Sequence, residues 1–151
     1  LVIEMAYLGD VRFTNAMIRA VDRSVDVTLV TGKDVNVLES LGKATLAKLL
    51  KRTGAPEHLT IILHPRMVHA KMVVVDGRYC DVGSANFTKL SHGVYDEVNI
   101  YVDDTDLAAE LTAHALSHTE DGEVLRDKVA YKKLISQIER ATVAYQSRNG
   151  G

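Results

Sequence analysis

In "VHAKMVVVDGRYCDVGSANFT", residues 68–88, a histidine and a lysine stand two positions apart, and a serine and an asparagine repeat that interval after a glycine. On a strand, His69 and Lys71 leave the same face, so an imidazole and an ammonium can meet one substrate group. Ser84 and Asn86 do the same on the next strand, and Gly83 has no side chain to keep a ligand from the backbone. Hydroxyl, amide and ammonium together suit the non-bridging oxygens of a phosphate. Asp76 lies an odd number of positions from both His69 and Lys71 and falls at a tight Asp76-Gly77 turn, where it supports the hairpin. In "VYDEVNIYV", residues 94–102, Val94, Val98, Ile100 and Val102 take one face, which puts Glu97 on the polar face with Tyr95, Asn99 and Tyr101.

The elements that must position these groups are readable from periodicity. "LVIEMAYL" reads as a strand, "VRFTNAMIRAVDRS" as a helix with Phe13, Met17, Ile18 and Val21 on one side, and "VDVTLVT" as a β-branched strand. Residues 36–53 read as a helix stopped by Gly54-Ala55-Pro56. Strands are expected near 58–63, 68–75, 78–83 and 94–102, and helices over 104–118 and 126–147. This order predicts an α/β fold, a mixed sheet with helices on both faces. The 151 residues suffice for one domain with a core and are too few for two, so 1–151 is expected to be a single domain with a helical C-terminal segment, 104–147.

The spacing H-x-K, four residues, D, six residues, G-S-x-N resembles the signature of the phospholipase D superfamily. It is carried here by His69, Lys71, Asp76, Gly83, Ser84 and Asn86. The resemblance extends more weakly from Leu1 to about Ala109. It departs from many members at Asp96, which stands before Glu97 where they carry asparagine. It implies an α/β/α sandwich and phosphodiester cleavage or transfer through a phosphohistidine, with no cofactor and no metal. By that resemblance His69, Lys71, Asp76 and Glu97 are the catalytic set, with Glu97 accepting a ring N–H of His69. Lys71, Ser84 and Asn86 hold the phosphoryl oxygens. Imidazole suits attack or proton transfer because its reference pKa, about 6.5, leaves both protonation states accessible.

In-line displacement needs groups on opposite sides of phosphorus, so a second motif is required, from another copy in a homodimer or from the rest of a longer chain. The Leu1 start and first strand resemble the C-terminal half of two-motif enzymes such as cardiolipin synthases, in which the C-terminal histidine is the general acid. The expected substrate is a phospholipid, with peripheral membrane contact. One alternative is a metal-independent endonuclease acting as a homodimer on nucleic acid, and another is a non-catalytic scaffold half. A net charge of −2 gives no global attraction to polyanions and speaks mildly against the nuclease.

Other features read as structural. Cys80 excludes an internal disulfide, suits a reducing, cytoplasmic setting, and is expected buried. Neither Gly32-Lys33 nor Gly42-Lys43 has the surroundings of a phosphate-binding Walker loop. Glu110, His114 and His118 share one helix face at zinc-ligand spacing, with a solvated polar face as the favoured reading. The basic stretches "AKLLKR" and "RDKVAYKK" read as solvated helix faces, and Tyr7 as a pocket or core aromatic. No apolar run has membrane-spanning length.

Overall fold

Alternating apolar residues at the N-terminus build a parallel core, to which the motif-bearing hairpin is added in the opposite sense. The computed structural model describes residues 1–35, 37–54, 56–126 and 129–149. Its elements are β1 (Val2–Met5), α1 (Val11–Val21), β2 (Val27–Gly32), α2 (Glu39–Arg52), β3 (Leu59–His64), β4 (Lys71–Val75), β5 (Tyr79–Gly83), β6 (Asn99–Asp103), α3 (Thr105–Ser117), β7 (Glu123–Val124) and α4 (Lys133–Asn149). The strands form one sheet in the order β6-β5-β4-β1-β2-β3-β7. Strands β1, β2 and β3 are parallel, with Ile3 beside Leu29 and Leu29 beside Ile61. Strand β4 runs antiparallel to β1, and β5 and β6 follow as antiparallel neighbours.

The pleat divides the core. Ile3, Met5, Leu29 and Ile61 pack with Met17 of α1 and Leu46 and Leu49 of α2 on one face. On the other, Val30, Ile62 and Met72 pack with Ala115 of α3, and Val74 and Cys80 with Ala108. Helices therefore cover both faces of a mixed sheet, as expected. The alanines matter because their small side chains let α3 lie close to the sheet. Asp10 caps α1, accepting the Arg12 N–H at 2.8 Å. No helix among the described residues is long and apolar enough to cross a membrane.

Two expected elements differ. The helix expected over 126–147 begins at Lys133, and ahead of it lies a strand that was not expected: residues 123–125 join β3, with Leu125 donating to the Ile61 carbonyl at 2.8 Å and covering part of an otherwise open sheet edge. Asp127 and Lys128, within that expected helix and within "RDKVAYKK", lie outside the described residues, as do Asn36 at the expected start of α2 and Ala55 in its expected stop. Helix α2 is described from Glu39, and the Leu41 N–H near its start donates to Glu139 Oε2 of α4 at 2.6 Å. The strand expected over 94–102 is shortened to β6, because Val94 and Tyr95 turn back to donate to the Leu90 carbonyl.

Candidate active site

Strand β4 carries Lys71 at its first position, so His69 stands in the extended approach to the strand rather than on it. The two side chains meet all the same. Lys71 Nζ lies 3.1 and 3.2 Å from the two ring nitrogens of His69 and donates to its carbonyl at 2.7 Å. Lys71 is buried while His69 is exposed, so a shielded cation backs an imidazole open to solvent. Burial lowers the Lys71 pKa from its usual value, and the negative charge of Glu97 opposes that shift.

Glu97 sits on the irregular approach to β6, with its carboxylate fixed by the Ser84 hydroxyl, which donates to Oε2. That hydrogen bond, with help from Ser91, Lys71 and His92, holds the Glu97 pKa below the ordinary carboxylate value against the cost of burial. Among the described residues the carboxylate bonds to serine rather than to the His69 ring, and its charge acts on Lys71, whose Nζ lies against that ring. Ser84 Oγ also accepts the Val98 N–H at 3.1 Å. Its single proton is thus used on Glu97, and the serine expected to hold a phosphoryl oxygen positions a carboxylate here.

Asn86 reaches the segment that follows β1. Its Oδ1 accepts the Tyr7 N–H at 3.2 Å, and its own N–H donates to Ser91 Oγ at 3.1 Å. The neighbouring Phe87 carbonyl accepts from Gly9 and Asp10, tying the Gly-Ser-Ala-Asn turn to the C-terminal end of β1. Gly83 is needed for a different approach from the one expected. A Cβ there would lie 2.2 Å from the Val98 carbonyl oxygen and 2.3 Å from Asn99 Oδ1, so β6, not a ligand, occupies the space.

Asp76 does not join the site. It lies beyond the far end of β4, five residues from Lys71 and about 17 Å along the strand, and takes a positive φ of 53° in the turn with Gly77 at 61°. These are the φ signs of a type I′ turn, so its contribution is to the hairpin. Sequence reading passed over Asn99 as a positioning residue: its Nδ2 donates to Asp81 at 2.6 Å and its Oδ1 accepts the Ala85 N–H at 3.1 Å. Its place two residues after Glu97, on the same polar side, was the available signal.

A cavity of about 670 Å³ opens on the α1 side, with Lys71, Glu97, Ser91 and His92 among its polar walls and Met5, Phe13 and Phe87 among its apolar ones. His69, Ser84 and Asn86 stand outside its lining. A second trough of about 530 Å³ shares Phe13, Val73, Asp81, Phe87 and Tyr101 with it and is otherwise mostly apolar. The rings of Phe13 and Phe87 stack at 4.0 Å in the wall between them.

A doubly covered mixed sheet carrying a histidine–lysine pair beside a serine-held carboxylate defines a phospholipase D-like domain. A family model described as the PLD-like domain of cardiolipin synthase matches residues 1–118, and the chain belongs to that family. Among solved structures, the phospholipase D family member Nuc from Salmonella typhimurium is similar at a TM-score of 0.69 and 21% identity, over 83% of this chain and 80% of that one. NucT from Helicobacter pylori is similar at 0.69 and 15% identity, over 82% and 80%. Phosphatidylserine synthase from Haemophilus influenzae Rd KW20 is similar at 0.71 and 15% identity, over 97% of this chain but only 39% of its own length. No curated protein sequence matches the chain.

Proposed function

We propose that this chain supplies one half of a phosphodiester cleavage or transfer site acting on phospholipids through a phosphohistidine. In the proposed cycle a histidine nitrogen forms a bond to phosphorus as the bond to the leaving oxygen breaks, and a histidine from a second motif donates the proton that oxygen takes up. Water or an acceptor alcohol then attacks phosphorus, gives its proton to the second histidine, and frees the first. His69 is one of these two imidazoles, the proton donor if the chain serves as the C-terminal half and either one in a symmetric pair. Lys71 stabilises charge growing on the phosphoryl oxygens, with Asn86 Nδ2 as a further donor. Ser84 and Glu97 position and balance the lysine.

The observation that carries the lipid reading is the apolar trough sharing walls with the Lys71 and Glu97 cavity. A diester with hydrocarbon chains has apolar surface to bury beside its phosphate, whereas a nucleic acid relies chiefly on phosphate neutralisation. The second reading is a homodimer of this chain acting on nucleic acid. Its support is the likeness in fold to the Salmonella and Helicobacter proteins, which extends over 80% of each of those chains.

The two readings separate by assay of the chain alone and joined to a second motif-bearing domain. Phosphatidyl transfer or headgroup release in mixed micelles, with a trapped phosphoenzyme lost in His69→Asn, supports the first. Nicking of plasmid in EDTA without lipid turnover supports the second. Absence of any phosphoenzyme in both assemblies would leave only a scaffold role and reject both.

A further inference from the structure

On the face of the sheet opposite the α1 side, β1 points an acidic side chain into the protein under α3. Glu4 is 2% exposed. Its Oε1 lies 3.2 Å from His118 Nε2, and its Oε2 lies 3.4 Å from His114 Nε2, with no hydrogen-bond partner of its own. An ionised carboxylate removed from water this completely needs a compensating cation or a full set of donors. Each histidine thus faces its own carboxylate oxygen, at separations near the ~3.3 Å between donors 2.0–2.1 Å from a tetrahedral zinc, and the three groups would draw together slightly around one ion.

We propose that Glu4, His114 and His118 bind a divalent first-row transition metal, zinc by best match, at a site separate from His69 and Lys71. The three ligand atoms lie within 4.8 Å of one another. Two imidazoles and one carboxylate form a recognised zinc donor set, with a fourth position left to water. Helical spacing brings His114 and His118 to one face, while Ala108 and Ala115, both 0% exposed, let that face approach β1. His114 is exposed, which gives the ion a route in, and the buried ring of His64 packs edge-on against His118 at 4.6 Å, holding it toward Glu4. Glu110, the carboxylate on the same helix face, is not in the cluster. The ion fastens α3 to β1, the strand directly beside the one that carries Lys71.

The test uses the chain without an affinity tag, stripped with EDTA and titrated with Zn²⁺ by calorimetry and with Co²⁺ by visible absorption. One ion per chain, tetrahedral cobalt bands and a melting temperature raised by about 5 °C or more in excess zinc are expected. His114→Ala, at an exposed position that leaves the core intact, is expected to weaken binding at least tenfold and abolish the thermal shift. Glu4→Gln should do the same, and His69→Asn should bind zinc like the wild type. Absence of stoichiometric binding, full binding by His114→Ala, or loss of binding in His69→Asn would each overturn the site.

Discussion

Replacing Gly83 with alanine tests the account of how the Ser84–Glu97 pair is held. No positive φ is found at Gly83, so the backbone itself tolerates alanine, and stiffening the unfolded chain alone would stabilise by about 0.4–1 kcal/mol. The new Cβ, however, would meet the Val98 carbonyl oxygen at 2.2 Å and Asn99 Oδ1 at 2.3 Å, where real contacts do not fall below 3.0 Å. Neither neighbour yields freely. Val98 O accepts the Ser84 N–H at 3.0 Å, and Asn99 Oδ1 accepts the Ala85 N–H at 3.1 Å. Parting the strands by the missing 0.8 Å or so sacrifices these two bonds, each contributing about 1 kcal/mol, and adds overpacking of about 1–3 kcal/mol. After the entropic gain, a net loss of about 2–4 kcal/mol is expected, or a melting point lower by about 5–12 °C.

Urea unfolding followed by circular dichroism measures that loss. Gly42→Ala is the matched control, because its Cβ would meet nothing nearer than 4.0 Å and it lies within α2, so it should be neutral or slightly stabilising. Displacing Ser84 and Glu97 should also cut any phosphoryl transfer by about 100-fold, the scale of a 1 Å misplacement. A Gly83→Ala protein within 0.5 kcal/mol of wild type, or more stable, would refute the close approach of β6 and with it the reason given for the glycine.

Three further outcomes follow from the site. Because burial lowers the Lys71 pKa below 10.5, the unfolded chain holds that proton more tightly, so wild type gains stability relative to Lys71→Met as pH rises toward 10.5. A stability difference flat from neutrality to that pH contradicts the burial argument, and the same variant should lose about 100-fold or more of any phosphoryl transfer. Ser84 lowers the Glu97 pKa below its ordinary 4.5, so the advantage of wild type over Glu97→Gln should be full above pH 4.5 and shrink as pH falls through the lowered value. Thermal melts across that range check it, and an advantage that grows on acidification has the wrong sign. Asp10→Ala removes the cap of α1 and should cost about 1–2 kcal/mol in urea unfolding, little of it from the exposed Arg12 partner.

Much of the fold was legible because it is written in local periods. The opening strand, helix and strand, the Asp76-Gly77 turn and the helix after β6 all depend on residues a few positions apart. Lys71 and His69 meet for the same reason, although β4 starts three residues later than the expected strand at 68–75. Where reading failed, the deciding partner came from far along the chain. Val98 and Asn99 gave Gly83 its purpose, Ser84 took the carboxylate expected at His69, and β3 gained an unforeseen edge partner in residues 123–125.

By itself the sequence determined the alternation of strands and helices, the spacing of the histidine, lysine, serine and asparagine, and the family to which they belong. These are properties of neighbours in the chain, governed by backbone geometry with periods of two and 3.6 residues. Tertiary structure alone decided which carboxylate meets which partner: Glu97 with Ser84 beside the buried ammonium, and Glu4 beneath two histidines more than a hundred residues away. The physical reason is that a charge taken from water is compensated by whatever group packing brings within a few ångströms, and no local period encodes that proximity.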